Sequence, residues 1–109
     1  MWGPFDKGST IGTGGSEGGI IIRDEEHPLG SRITLERGAT FSPYSVTCGI
    51  YGWFFHTRFL GSEAEADLPA MRDGLAAILH VIPNTDDPES DAKMAAVGDA
   101  IGSFVDRFP

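Results

Sequence analysis

The chain reads as an α+β protein: an antiparallel β-meander of three or four strands followed by two amphipathic helices packed on one face. Three observations predict it. Residues 32–36 alternate apolar and polar side chains, residues 44–60 form a long run rich in β-branched and aromatic residues, and beyond residue 62 apolar residues recur at three- and four-residue steps. With 109 residues the chain can build one hydrophobic core but not two. The reading therefore divides it into a glycine-rich N-terminal arm, 1–19, and a single α+β domain, 20–109.

Residues 8–19 (GSTIGTGGSEGG) offer little apolar surface and much backbone freedom, which predicts a loop or mobile arm. Ile20, Ile21 and Ile22 then form a β-branched strand, and Arg23-Asp24-Glu25-Glu26-His27-Pro28-Leu29-Gly30 reads as a connection. From Arg32 to Glu36, Ile33 and Leu35 share one face and Arg32, Thr34 and Glu36 the other, the pattern of a half-exposed strand that completes a hairpin. Residues 38–43 connect to the stretch Tyr44–Leu60. Gly49 and Gly52 interrupt it, and a turn at Tyr51-Gly52 dividing it into two strands is favoured over one bent strand.

Ser62 and Glu65 match a capping box, and Ala64, Leu68, Met71, Leu75, Ile78, Leu79 and Ile82 make one apolar stripe that Pro83 ends. Pro69 requires either a kink or a helix that begins near Asp67. A second helix is predicted with Asp87 as N-cap and Pro88 at its first position, carrying Met94, Val97, Ile101, Phe104, Val105 and Phe108 on its buried stripe. Gly98 and Gly102 weaken it by roughly 2 kcal/mol relative to alanine, which predicts that another element approaches closely there.

Ile20–Ile22 and Trp53-Phe54-Phe55 place bulky apolar groups on both faces of the sheet. Two helices cover one face only. The other needs the N-terminal arm, with Trp2, Phe5 and Ile11, or a second copy of the chain, and a homodimer with Trp53 and Phe55 in its interface is the expectation.

Sixteen acidic against eight basic residues give a net charge of -8, with no basic cluster, which argues against nucleic acid and anionic membranes. A basic protein partner or a cationic ligand suits that charge better, and solubility alone also accounts for it. The single cysteine, Cys48, forms no internal disulfide, and neither a secretory leader pattern nor an 18-residue apolar run is present, so the cytoplasm is the expected location.

The densest polar group is Arg23 to His27, which meets His56 and Arg58 if their strands are neighbours; Arg23, Glu25, His27, His56 and Arg58 are then the candidate ligand-binding residues. A metal-dependent version would use Asp24, Glu26 and His27, although the spacing matches no specific metal motif and solvated hairpin charges explain it as well. A Cys48–His56 thiol–imidazole pair is the remaining chemical idea. Cys48 shares a strand face with Val46 and Ile50 and reads better as a small buried hydrophobe. His80 suits the C-terminal end of the first helix. The glycine segment lacks GxxxxGK[ST] and precedes a strand, so it fails as a phosphate loop. No cofactor is implied, no catalytic residue is nominated, and no motif carries a resemblance to a named family. The favoured expectation is a non-catalytic protein-interaction module acting as a homodimer; the alternative is a small-molecule-binding protein or small enzyme.

Overall fold

The computed structural model describes residues 1–83 and 90–109. It is an α+β structure: a five-stranded antiparallel sheet, with strands in the order of the chain, followed by two helices that pack on it. The strands are β1 (Gly3–Pro4), β2 (Ile20–His27), β3 (Ser31–Arg37), β4 (Tyr44–Ile50) and β5 (Phe54–Leu60); the helices are α1 (Leu68–Val81) and α2 (Ser90–Arg107). The extra strand relative to the expected meander is β1, a two-residue piece of the arm paired with Glu25 and Glu26.

Strand β2 runs through the residues expected to form a connection. Its charged stretch stays in the ladder because alternate side chains find partners on opposite faces: Asp24 pairs with Arg32 of β3, and Glu25 with Arg72 of α1. The turn to β3 closes through the Gly30 N–H on the His27 carbonyl. Tyr44–Leu60 is two strands, joined by a turn in which the Trp53 N–H reaches the Ile50 carbonyl at 3.0 Å and Gly52 takes φ +81°.

The core lies between the sheet and the helices. Ile33, Leu35, Val46, Cys48, Ile50 and Leu60 supply the sheet side, and Met71, Leu75, Ile78, Leu79, Val97, Phe104 and Phe108 the helix side. Helix α1 begins at Leu68, with Pro69 in its first turn where a missing N–H does no harm, so the proline introduces no kink. Ser62 and Glu65 do not start α1 as expected: they close a single 3-10 turn, Ala64–Ala66, ahead of it, with the Glu65 N–H donating to Ser62 Oγ at 3.4 Å and its carboxylate accepting the N–H of Gly61, and Ala64 is exposed rather than on the helix stripe.

Two expectations about α2 need correction. Met94 is exposed, while Val97, Phe104 and Phe108 are buried. Gly98 and Gly102 face open space; the close helix approach occurs instead at Gly74 of α1, where an added Cβ would come within 2.9 Å of the Phe104 ring. The expected Asp87–Pro88 cap lies outside the described residues.

Candidate functional site

Alternation along each strand sorts the side chains into a helix-side face and a far face. On the helix side lie Arg23, Glu25 and His27 of β2 and His56 and Arg58 of β5. On the far face lie Asp24 and Glu26, then Arg32, Thr34 and Glu36, then Ser45, Thr47 and Gly49, and finally Phe55, Thr57 and Phe59.

The candidate ligand-binding residues do not converge. Strands β3 and β4 stand between β2 and β5, and at about 4.8 Å per strand that separation is roughly 14 Å. Arg23 is exposed beside Arg72, Glu63 and Asp67, and Glu25 is committed to Arg72. His27 is buried against Trp2, its ring nitrogens bonded to the Met1 amino group at 2.9 Å and the Leu29 N–H at 3.1 Å, and burial pushes its pKa below the usual imidazole value.

His56 bonds the Phe108 carbonyl at 2.7 Å. Arg58 is buried and acts as a staple: Nη1 donates to the Ala66 carbonyl at 2.7 Å and to Met71 Sδ at 3.1 Å, Nη2 to the Glu65 carbonyl at 3.3 Å, and Nε to the Pro109 carbonyl at 3.4 Å. Burial lowers its pKa, against the opposing pull of Cys48, Asp67 and Glu65.

The metal trio also divides, because Asp24 and Glu26 point away from the helices and His27 points toward them. Asp24 accepts Arg32 Nε at 2.9 Å, Arg32 Nη2 at 2.7 Å, Thr10 Oγ1 at 2.8 Å and Thr34 Oγ1 at 3.0 Å. Its burial raises the pKa, but these bonds and the Arg32 charge outweigh it and hold the carboxyl below the usual range. Among the described residues, no three His, Cys, Asp or Glu side chains gather as a metal site.

Cys48 and His56 are direct register partners. The thiol is nevertheless buried in the core and pushed up to about 12, so it is not a nucleophile at neutral pH.

The glycine segment does cradle an anion, and that anion is the chain's own. Glu36, with no solvent exposure, accepts the N–H of Gly19 at 3.0 Å and that of Glu17 at 3.2 Å. A Cβ on Gly15 would collide with this carboxylate, and one on Gly19 would lie 2.7 Å from the Arg37 carbonyl. The glycines are the price of that close approach.

The arm thereby covers the β2–β3 half of the far face. Phe5 lies over the Arg32 guanidinium, 3.5 Å from ring centroid to carbon, and the Gly12 N–H and Thr13 carbonyl bond the outer edge of β2 at Ile21. Between the arm and the β4–β5 turn runs an open groove of about 850 Å³, floored by Thr34, Thr47 and Gly49 and walled by Thr13, Tyr51 and Phe55. Beyond it the β4–β5 half is bare: Phe55 is 83% exposed, Phe59 48% and Phe41 82%, with Phe41 and Phe59 in edge-to-face contact at 6.2 Å. Trp53 behaves differently from Phe55. The turn removes it from the strand alternation, and it is half-buried against the core.

Phe41 and Phe59 are the surface residues that sequence reasoning passed over. Period-two spacing from Phe55 to Phe59 was available to find the second, whereas Phe41 reaches the patch from a loop.

No protein-family model, no curated protein and no solved structure matches the chain. No helix among the described residues is long and apolar enough to cross a membrane.

Proposed function

We propose that this chain is a non-catalytic protein-interaction module that acts as a homodimer and uses the bare β4–β5 half of its sheet as the binding surface. One observation carries the reading: Phe41, Phe55 and Phe59 form an aromatic patch in water, on a part of the far face that neither helix nor arm covers among the described residues. The engagement of the polar candidates supports it from the other side. Asp24, Glu25, Arg58 and Glu36 spend their bonds on holding elements together, which suits a scaffold better than a reacting centre. A net charge of -8 favours a basic protein as the eventual target, and the cytoplasm as the location completes the reading.

The test is sedimentation velocity on wild type and on Phe55→Ser/Phe59→Ser, with circular dichroism confirming the fold of both. Both side chains are substantially exposed, so their removal leaves the fold intact; the reading expects self-association in wild type and its loss in the variant. Identical monomeric behaviour in both contradicts it.

A second reading rests on the groove. Its volume is in the range of small-molecule sites, and it combines aromatic walls with a row of threonine hydroxyls. A small neutral or cationic ligand there would shift the NMR resonances of Thr34, Thr47 and Tyr51 on titration without changing the solution mass.

A further inference from the structure

We infer that two copies join through antiparallel pairing of their β5 strands, about a two-fold axis that passes midway between the two copies of Thr57, perpendicular to the sheet. The inference deepens the proposed homodimer and rests on it.

The first ground is the state of the two sheet edges. At the β2 side the arm closes the ladder: β1 pairs with Glu25 and Glu26 and carries Pro4, and Gly12–Gly14 bond Ile20 and Ile21 further along. At the other side β5 is an edge of seven residues, and its outer backbone groups have no backbone partner among the described residues. Of the usual guards it carries only an inward-pointing charge, Arg58, and that guanidinium is taken up by the carbonyls of Ala66, Glu65 and Pro109. The sequence FFHTRFL has no proline and no lysine, its register against β4 is unbroken, and its one arginine, Arg58, is turned inward and buried. One open edge per chain gives a closed pair, whereas two would give a filament.

The second ground is register. An axis at Thr57 opposes every residue of β5 in one copy with a residue of β5 in the other, and it sets Phe55 against the partner's Phe59 and Phe59 against the partner's Phe55. Cross-strand aromatic pairs of this kind are the favoured contacts of antiparallel ladders. Moving the axis by one residue either way removes both pairs.

The third ground is contact along the seam. Phe41, Phe55 and Phe59 are exposed in the single copy. Because the axis is perpendicular to the sheet, the pairing covers the edge-facing flanks of Phe55 and Phe59 and adds apolar contact to the new backbone ladder, while the outer faces of the rings remain on the far face of the joined sheet. The joined sheet would have ten strands, two copies of five, with all four helices on one side and both grooves on the other. Each groove's Phe55 wall would then be extended by the partner's Phe59.

The test combines four variants with light scattering. Thr57→Cys places two thiols across the axis at the ~4.5–5.5 Å Cα separation of opposed residues, within disulfide reach, and mild oxidation is expected to link the copies. Ser103→Cys on the exposed face of α2 is the collision control, and native Cys48 is buried. Phe55→Lys is expected to weaken the dimer at least tenfold, and Phe55→Lys/Phe59→Glu to recover it, because each lysine then faces the partner's glutamate. A dimer in which Thr57→Cys links no faster than Ser103→Cys, or in which the double variant is no better than Phe55→Lys, overturns the β5 pairing and leaves self-association standing. A monomer at every concentration overturns both.

Discussion

The Glu36 carboxylate accepts the backbone N–H of Gly19 at 3.0 Å from a site with no exposure to solvent. Around it the loop closes on itself, Gly15 N–H to the Gly19 carbonyl at 2.9 Å, and is tied outward by the Thr40 N–H on the Glu17 carbonyl at 2.9 Å. One side chain thus orders a segment that has almost no apolar surface of its own.

Glu36→Ala leaves the N–H groups of Glu17 and Gly19 buried without an acceptor and is expected to cost roughly 2–4 kcal/mol. Gly15→Ala, which drives a methyl into the same carboxylate, should also destabilise. Urea denaturation measures the cost, and faster hydrogen exchange across residues 10–19 distinguishes release of the arm from global weakening.

Asp24 gives the fold an acid sensitivity. Its folded pKa lies below the unfolded value of about 3.9, so its contribution is fully present above that value and is lost as pH falls through the folded pKa. Asp24→Asn should destabilise by about 2–3 kcal/mol at pH 7, through loss of the pair with half-buried Arg32, and flatten the decline in stability below pH ~4. Thermal melts from neutral to acid pH follow both effects.

Arg58→Met removes four bonds while keeping much of the side-chain volume. The carbonyls of Glu65 and Ala66 lose their donor, and a cost of roughly 2–3 kcal/mol is expected. Arg58→Lys should recover only part of it, because an ammonium cannot span the Ala66, Glu65 and Pro109 carbonyls together.

Much of the architecture was legible because it rests on local pattern. The alternation at Ile33 and Leu35, the turn at Gly52 and the helix stripe from Met71 to Leu79 each follow from short-range geometry, and Pro69 marked the true start of α1. What stayed hidden depends on partners distant in sequence. Nothing near Glu36 announces that glycines 17 to 21 residues earlier will surround it, and nothing near Gly98 and Gly102 shows that close helix contact falls on Gly74. The proposed meeting of Arg23 with His56 failed on strand order, since it required β2 and β5 to be neighbours. Of the surface patch, Phe55 was visible as an apolar residue on the uncovered side. Trp53, expected beside it, lines the groove together with Phe55 but is half-buried against the core.

Each copy carries a charge of -8, whereas the far-face residues of β5, Phe55, Thr57 and Phe59, are uncharged. Repulsion between copies is therefore long-range and screened by salt, while the contact itself is not weakened by it. Raising ionic strength from about 0.01 to about 0.15 M, which shortens the screening length from roughly 30 to 8 Å, should tighten the dimer. Analytical ultracentrifugation at the two salt concentrations gives the dissociation constants to compare.

The solution mass across a dilution series, measured by light scattering, tests the central claim most directly. The account predicts twice the 11.6 kDa chain mass at high concentration, falling toward one chain mass on dilution. A mass of one chain at every concentration and salt would contradict it.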